Sequence, residues 1–267
     1  MTIHVCIAGA SGWAGSALAA AVHQAEDMTL VGAVSRSNKG KVMEDVLGIS
    51  GCHLSVSGSV EEALATPCDV MVEYTQPDVA KSHILAALSA DAHVVVGTSG
   101  LTDADYAEID AVAQERQRGV LAVGNFALTV VLMQKFAEIA ARYIPQWEIF
   151  DYAKDDKIDA PSGTARELAH RLSTVRTPEL TVPLKDIHGA VAARGASLAG
   201  SQIHSVRLPG YTLSAEVVFG LPDQKLIIRH DAGGSAQPYV DGALLAIRKV
   251  NTVVGLRRGL DHVMDLG

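Results

Sequence analysis

Apolar residues in the first half of this chain fall in short unbroken runs rather than in strict alternation. Ile3 to Ala8, Leu30 to Val34, Val70 to Tyr74, His93 to Val96 and Val120 to Val123 are such runs. Each is too short for a core helix and too uniformly apolar for a sheet with one wet face, so each predicts a strand buried on both sides. Stretches of helical composition lie between them, at Ser16 to Gln24, Pro77 to Leu88 and Asp103 to Glu115. Alternating strands and helices imply right-handed crossovers and a parallel sheet over roughly residues 1–125.

Past Asn125 the pattern changes. Leu128 to Tyr143 predicts one long helix, Trp147 to Tyr152 a strand, and Ala165 to Leu172 a further helix. Gln202 to Arg207, Leu213 to Phe219 and Lys225 to His230 alternate in the manner of strands, with turn signals at Pro209-Gly210 and Pro222-Asp223. A second domain of α+β type with an antiparallel or mixed sheet is expected. Gly242 to Val250 returns to helix, with Leu244, Ile247 and Val250 on one face.

Composition narrows the function classes. With 267 residues, 48% hydrophobic and 19% charged, the chain suits two modest globular domains. Its net charge of −8 argues against a nucleic-acid partner, because phosphate binding needs a basic face. Cys6, Cys52 and Cys68 are odd in number and lack C-x-x-C spacing, which suits a reducing cytosol and indicates neither a disulfide framework nor a metal site. The first residues lack a basic stretch, and Gly9, Gly12 and Gly15 interrupt the apolar run, so strand–loop–helix is expected there and not a leader. No membrane partner is expected, and the protein is expected to be cytoplasmic.

Two segments carry candidate chemistry. Gly9-Ala10-Ser11-Gly12-Trp13-Ala14-Gly15 spaces three glycines between a strand and a helix, where they permit a tight turn and let backbone approach a pyrophosphate. A site for NAD normally ends the second strand with a carboxylate on the ribose hydroxyl. Here that strand ends Val34-Ser35-Arg36-Ser37, and Arg36 could face a 2′-phosphate, which favours NADPH with NADH still possible. The second segment is Asp156-Lys157-Ile158-Asp159-Ala160-Pro161-Ser162-Gly163-Thr164-Ala165, a lysine and a proline turn ahead of a helix start. N–H groups at a helix start, with two hydroxyls beside them, suit a carboxylate. The plainer alternatives are a glycine-rich turn that binds nothing and a capped surface helix beside a solvated loop.

Taken together, these segments resemble the dihydrodipicolinate reductase family. The likeness extends through Glu73-Tyr74-Thr75-Gln76-Pro77, Gly97-Thr98-Ser99-Gly100-Leu101, Gly124-Asn125-Phe126-Ala127, Ile203 to Gly210 and Ile228-Arg229-His230-Asp231. It implies a Rossmann-type doubly wound parallel sheet over residues 1–126 and 241–267, completed by the C-terminal helix. It also implies a substrate and oligomerisation domain over residues 127–240 that builds a homotetramer. The implied reaction is hydride transfer from a nicotinamide to a small cyclic unsaturated dicarboxylate on the lysine and diaminopimelate route.

By resemblance, Gly9, Ala10, Ser11, Gly12, Trp13, Ala14, Gly15, Arg36, Thr75, Gly97, Thr98, Ser99, Gly124, Asn125 and Phe126 would hold the coenzyme. Ser162, Gly163 and Thr164, with Lys154, would hold the substrate, and Lys157 would be the catalytic residue. The family normally carries Glu-x-His-His-x-x-Lys ahead of the Asp-Ala-Pro-Ser-Gly-Thr run. These columns read Asp151-Tyr152-Ala153-Lys154-Asp155-Asp156-Lys157, so both histidines are replaced. A further family histidine is Ser214, and the arginine common in the glycine loop is Trp13. Three functions remain compatible with these departures: the usual reductase, a reductase of a different imine or unsaturated carboxylate, and a nucleotide-binding protein without catalysis. Glu216, His230, His204 and Asp231 are expected to be structural.

Overall fold

The computed structural model describes residues 2–266, and these divide into two compact units. One comprises 2–127 with 236–266, and the other 128–235. The chain returns to the first unit at Ala236 rather than at residue 241, because the last helix begins at Gln237 and not at Gly242. Pro238 at its first turn favours that earlier start, since a proline there sacrifices no helical hydrogen bond.

In the first unit β1 (Ile3–Ala8), α1 (Trp13–Gln24) and β2 (Met28–Val34) are followed by the short helices α2 (Met43–Leu47) and α3 (Val60–Ala63). Next come β3 (Val70–Glu73), α4 (Pro77–Ser89), β4 (His93–Val96), α5 (Asp103–Glu115) and β5 (Gly119–Ala122). The second unit holds α6 (Leu128–Tyr143), β6 (Gln146–Ala153), α7 (Gly163–Val175), β7 (Ala196–Leu198), β8 (Ser201–Arg207), β9 (Leu213–Leu221) and β10 (Gln224–Ala232). Helix α8 (Gln237–Lys249) and strand β11 (Gly255–Arg258) close the chain in the first unit.

The first sheet has six strands in the order β11-β5-β4-β3-β1-β2, all parallel. Strands β3 and β5 are buried at every position, as runs covered by helices on both faces should be. Met71, Ile84, Leu88, Val94, Ile109 and Val120 form one cluster between sheet and helices. The chain reverses its strand order between β1 and β3, and a crevice opens at such a switch point beyond the carboxyl ends of the strands. The C-terminal segment supplies an edge strand as well as the expected helix: β11 pairs with β5 in register Leu256↔Val120. Its sequence, Gly-Leu-Arg-Arg, carries too little apolar pattern to predict a strand.

The second sheet has five strands in the order β10-β9-β6-β8-β7 and is mixed, since only β6 and β8 run parallel. Strand β6 alternates cleanly, with Trp147, Ile149, Asp151 and Ala153 buried and Gln146, Glu148, Phe150 and Tyr152 half-buried. The inward face meets α6 and α7, and α7 presents Ala165, Leu168, Ala169 and Leu172 at helical spacing. An acidic residue, Asp151, therefore sits in the middle of an apolar face. Among the described residues no helix is long and apolar enough to cross a membrane.

Candidate active site

The glycine loop follows β1 directly. Gly9 has φ of 85°, and a Cβ on it would strike the carbonyl of Tyr74, so only glycine lets the β1 and β3 exits lie this close. A Cβ on Gly15 would likewise strike the Gly9 carbonyl, where α1 presses onto the loop. The N–H groups of Gly9 and Ala10 both donate to the Val34 carbonyl, at 3.0 and 3.1 Å, which ties the loop to the end of β2. Helix α1 starts with no side-chain cap at Gly12. Its first N–H groups are thus open, and they line a cavity of 250 Å³ with Thr75, Gln76, Gly97, Thr98 and Ser99.

Of the expected coenzyme residues, this cavity gathers Gly12, Trp13, Ala14, Gly15, Thr75, Gly97, Thr98 and Ser99. Gly9, Ala10 and Ser11 frame the loop behind it, with Ser11 Oγ 2.7 Å from Ser35 Oγ. Arg36 opens a short turn after β2, exposed and without a partner among the described residues. Lys39 is held by Glu62 at 2.5 Å and Lys41 by Asn38 at 3.1 Å, so Arg36 is the cation left open there. Gly124, Asn125 and Phe126 do not line the cavity; Phe126 is buried edge-on against Tyr74, ring centres 5.7 Å apart. Trp13, in place of a cation, is exposed and meets Tyr239 edge-on at 5.7 Å. Among the described residues, no lysine or arginine lines the cavity.

A buried carboxylate organises this pocket, and sequence reasoning missed it. Glu73 ends β3 fully buried. One carboxylate oxygen accepts from Thr75 N at 3.0 Å and Thr98 Oγ1 at 2.9 Å. The other accepts from the Thr75 hydroxyl and meets His83 Nδ1 at 3.1 Å. Burial pushes the Glu73 carboxyl up, but the bonds from His83, Thr75 and Thr98 outweigh it and hold the group below the usual carboxylate range. An acidic residue closing the run Val-Met-Val-Glu was the available signal.

In the second unit the lysine segment leaves β6 and ends at α7. Lys157 Nζ lies 2.5 Å from Asp159 Oδ1, and both side chains are about one-third exposed, at 32% and 37%. The lysine beside Asp159 holds that carboxyl below its ordinary range. Lys154 is exposed. Ser162 is buried: its N–H donates to Asp151 Oδ2 at 2.8 Å, and its hydroxyl accepts from Ala165 N at 3.3 Å as the cap of α7. Ser162 therefore frames the helix start. The groups left facing outward are Gly163, exposed, and Thr164, half-buried, whose N–H groups have no partner among the described residues. Ala153, where the family has histidine, is fully buried.

Asp151 is the counterpart of Glu73. It is fully buried, and one oxygen, Oδ2, accepts from Ser162 N, Ser205 Oγ at 3.1 Å and Arg207 Nη2 at 2.7 Å. Burial raises its carboxyl, and Arg207 and Ser162 bring it below the usual range. His204, His230 and Asp231 bond to partners outside this turn, although His204 lines a cavity with Ala160 and Pro161. His204 meets Glu148 Oε2 at 2.7 Å, His230 Nδ1 meets Thr129 Oγ1 at 2.9 Å, and Asp231 accepts from Arg229 and Ser214.

Comparison with known proteins agrees over the whole chain. The family model described as dihydrodipicolinate reductase, N-terminus, matches residues 3–126, and that for its C-terminus matches 129–264. The 4-hydroxy-tetrahydrodipicolinate reductase of Desulfitobacterium hafniense (strain DSM 10664 / DCB-2) is 36% identical over 265 residues, 98% of this chain and 99% of the relative. That of Geobacillus kaustophilus is 35% identical over 99% and 100%. A dipicolinate-bound dihydrodipicolinate reductase from Paenisporosarcina sp. TG-14 superposes with a TM-score of 0.89 at 31% identity, covering 99% of this chain and 100% of that one. An amine dehydrogenase from Mycobacterium smegmatis shares the fold, with a TM-score of 0.71 at 16% identity. The chain belongs to the dihydrodipicolinate reductase family, oxidoreductases whose N-terminal unit is a Rossmann fold that binds a pyridine nucleotide.

Proposed function

We propose that this chain is an NADPH-preferring reductase of a small cyclic unsaturated dicarboxylate, acting as a 4-hydroxy-tetrahydrodipicolinate reductase. The observation that carries the reading is the lysine turn. An ammonium held by a carboxylate stands a few residues before a capped helix whose Gly163 and Thr164 N–H groups are open. A substrate carboxylate would take those N–H groups, drawn by the positive end of the α7 dipole. Bound nicotinamide supplies the hydride. Negative charge then develops on the substrate atom next to the one reduced, and Lys157 stabilises it and delivers a proton. Asp159 holds the Lys157 ammonium within the turn.

For the coenzyme, the open start of α1 suits the pyrophosphate, and Arg36, the cation left open after β2, suits a 2′-phosphate. Ala153 supports a second reading of the same chemistry. A buried methyl group carries no proton, so a different cyclic imine or unsaturated acid that relies on Lys157 alone would suit the site equally. Assembly into a homo-oligomer, a tetramer by resemblance, is part of the proposal. It is supported by the half-buried rings of Phe150 and Tyr152 on the open face of the second sheet, and sedimentation would test it.

The test is NADPH oxidation with cyclic unsaturated dicarboxylates. Lys157→Ala is expected to lower the rate by about 10²- to 10⁴-fold, the usual range for a lost general acid, with NADPH affinity unchanged. A native protein that binds NADPH tightly and turns over no such acid would end the reading. Equal affinity for NADH and NADPH would remove the role given to Arg36.

A further inference from the structure

Arg207, at the end of β8, makes more contacts than a partner to Asp151 needs to make. Its Nη2 donates at 2.7 Å both to Asp151 Oδ2 and to the Asp159 carbonyl. Its Nη1 donates to the Asp151 carbonyl at 3.2 Å and the Val206 carbonyl at 3.0 Å. Asp151 in turn takes the Ser162 N–H at 2.8 Å. One ion pair therefore grips the segment where it leaves β6, again at Asp159, and again at the cap of α7. Lys157 and the open N–H groups of Gly163 and Thr164 lie within or directly after this span.

The pair is an expensive way to hold a loop. Both side chains are withdrawn from water, Asp151 wholly and Arg207 to 15% exposure. Asp151 Oδ1 and Arg207 Nε are buried without a partner among the described residues. An apolar pair of similar volume would in general cost less. A guanidinium offers something that an apolar side chain, or a lysine, cannot: a rigid fork that reaches a carboxylate and separate carbonyls at once.

We infer that Asp151 and Arg207 are positioning residues, a clamp that sets Lys157 and the anion-binding N–H groups in register for the substrate. The inference deepens the reading of the lysine turn and rests on it. The clamp belongs entirely to the second unit, so the coenzyme pocket serves as an internal control.

The experiment uses Arg207→Lys, which keeps the charge and removes the fork, with Asp151→Asn as a second variant of unchanged volume. Pyridine-2,6-dicarboxylate, an unreactive cyclic diacid, and NADPH are titrated separately, KM and kcat are measured, and amide hydrogen exchange is followed over residues 154–166. In Arg207→Lys the diacid Kd and the substrate KM should rise about tenfold or more, the scale at which small misplacements act. NADPH affinity should stay constant, and exchange at Ser162 should accelerate. Asp151→Asn should show the same split more weakly, and it decides the matter if the lysine variant does not fold. Unchanged exchange over 154–166, or diacid and NADPH affinities that fall together, would overturn the clamp. A native protein that binds NADPH but no diacid would overturn the substrate reading instead, while the exchange data still judge the clamp.

Discussion

Each unit of this protein organises its candidate site around one fully buried carboxylate, and the two are satisfied in opposite ways. Glu73 uses both oxygens, and its donors are an N–H, two hydroxyls and an imidazole. Asp151 concentrates its bonds on one oxygen, faces a guanidinium, and leaves the other oxygen bare. The first arrangement joins the exits of two strands, β3 and β4, through short-range bonds to Thr75 and Thr98. The second spans a long irregular segment, and only a side chain with several separated donors reaches its ends. A shallow pocket between strand ends can be held by hydroxyls, whereas a turn that carries a cation requires a charged strut.

That contrast can be broken at Glu73, where the largest of three further effects is expected. Glu73→Gln replaces one accepting oxygen by an NH2 group, so either the Thr75 N–H and Thr98 hydroxyl or the Thr75 hydroxyl and His83 lose their acceptor, and a buried unsatisfied group costs about 1–3 kcal/mol. That cost falls on stability; NADPH affinity should fall as well, by about tenfold if displacement of Thr75 and Thr98 costs about 1.4 kcal/mol of binding, with diacid affinity unchanged. Parallel titrations would check it, and a loss shared by both ligands would show that the two pockets are not organised separately. A smaller effect sharpens the other side. Ser162→Ala keeps the N–H bond to Asp151 and removes only the cap of α7, so thermal stability should drop by about 1 kcal/mol. Diacid binding should weaken only modestly, because the clamp survives.

The smallest effect is on acid stability, and it should fall on both units alike. Burial lowers the pKa of His93 in the first unit and of His230 in the second. A neutral histidine whose folded pKa is depressed contributes stability that is complete above its ordinary pKa of about 6.5 and lost as pH falls through the folded value. Glu73 and Asp151, also depressed, give up their contributions only below the ordinary carboxylate range near pH 4. Melting followed from pH 7 downwards should therefore show two stages. His230→Gln should flatten the first, and an unchanged first stage would argue against burial of the neutral imidazole.

Much of the fold was legible along the chain. Runs such as Val70-Met71-Val72 and Val94-Val95-Val96 have no reading other than strands covered on both faces, and β4, α5 and α6 match their expected ends. Strand β11 was illegible because its arginines lie exposed on a sheet edge, where pairing with β5 and not apolar pattern makes the strand. The C-terminal start of α8 at Gln237 was obscured by the glycine and alanine before it. Strand β7 has only three residues and is defined by β8 alone.

The site divides along the same line. Glycine spacing, the lysine turn and the family likeness are local in sequence, so the chain alone determined that a glycine loop between strand and helix and a lysine turn at a helix start were present. Tertiary structure decided which atoms remain free to act. It turned Ser162 inward as a cap, left Arg36 open while engaging Lys39 and Lys41, and brought Arg207 of β8 onto Asp151 of β6. Those outcomes depend on pairing between strands far apart in sequence and on which buried polar groups find partners. Neither quantity is carried by any one stretch of residues.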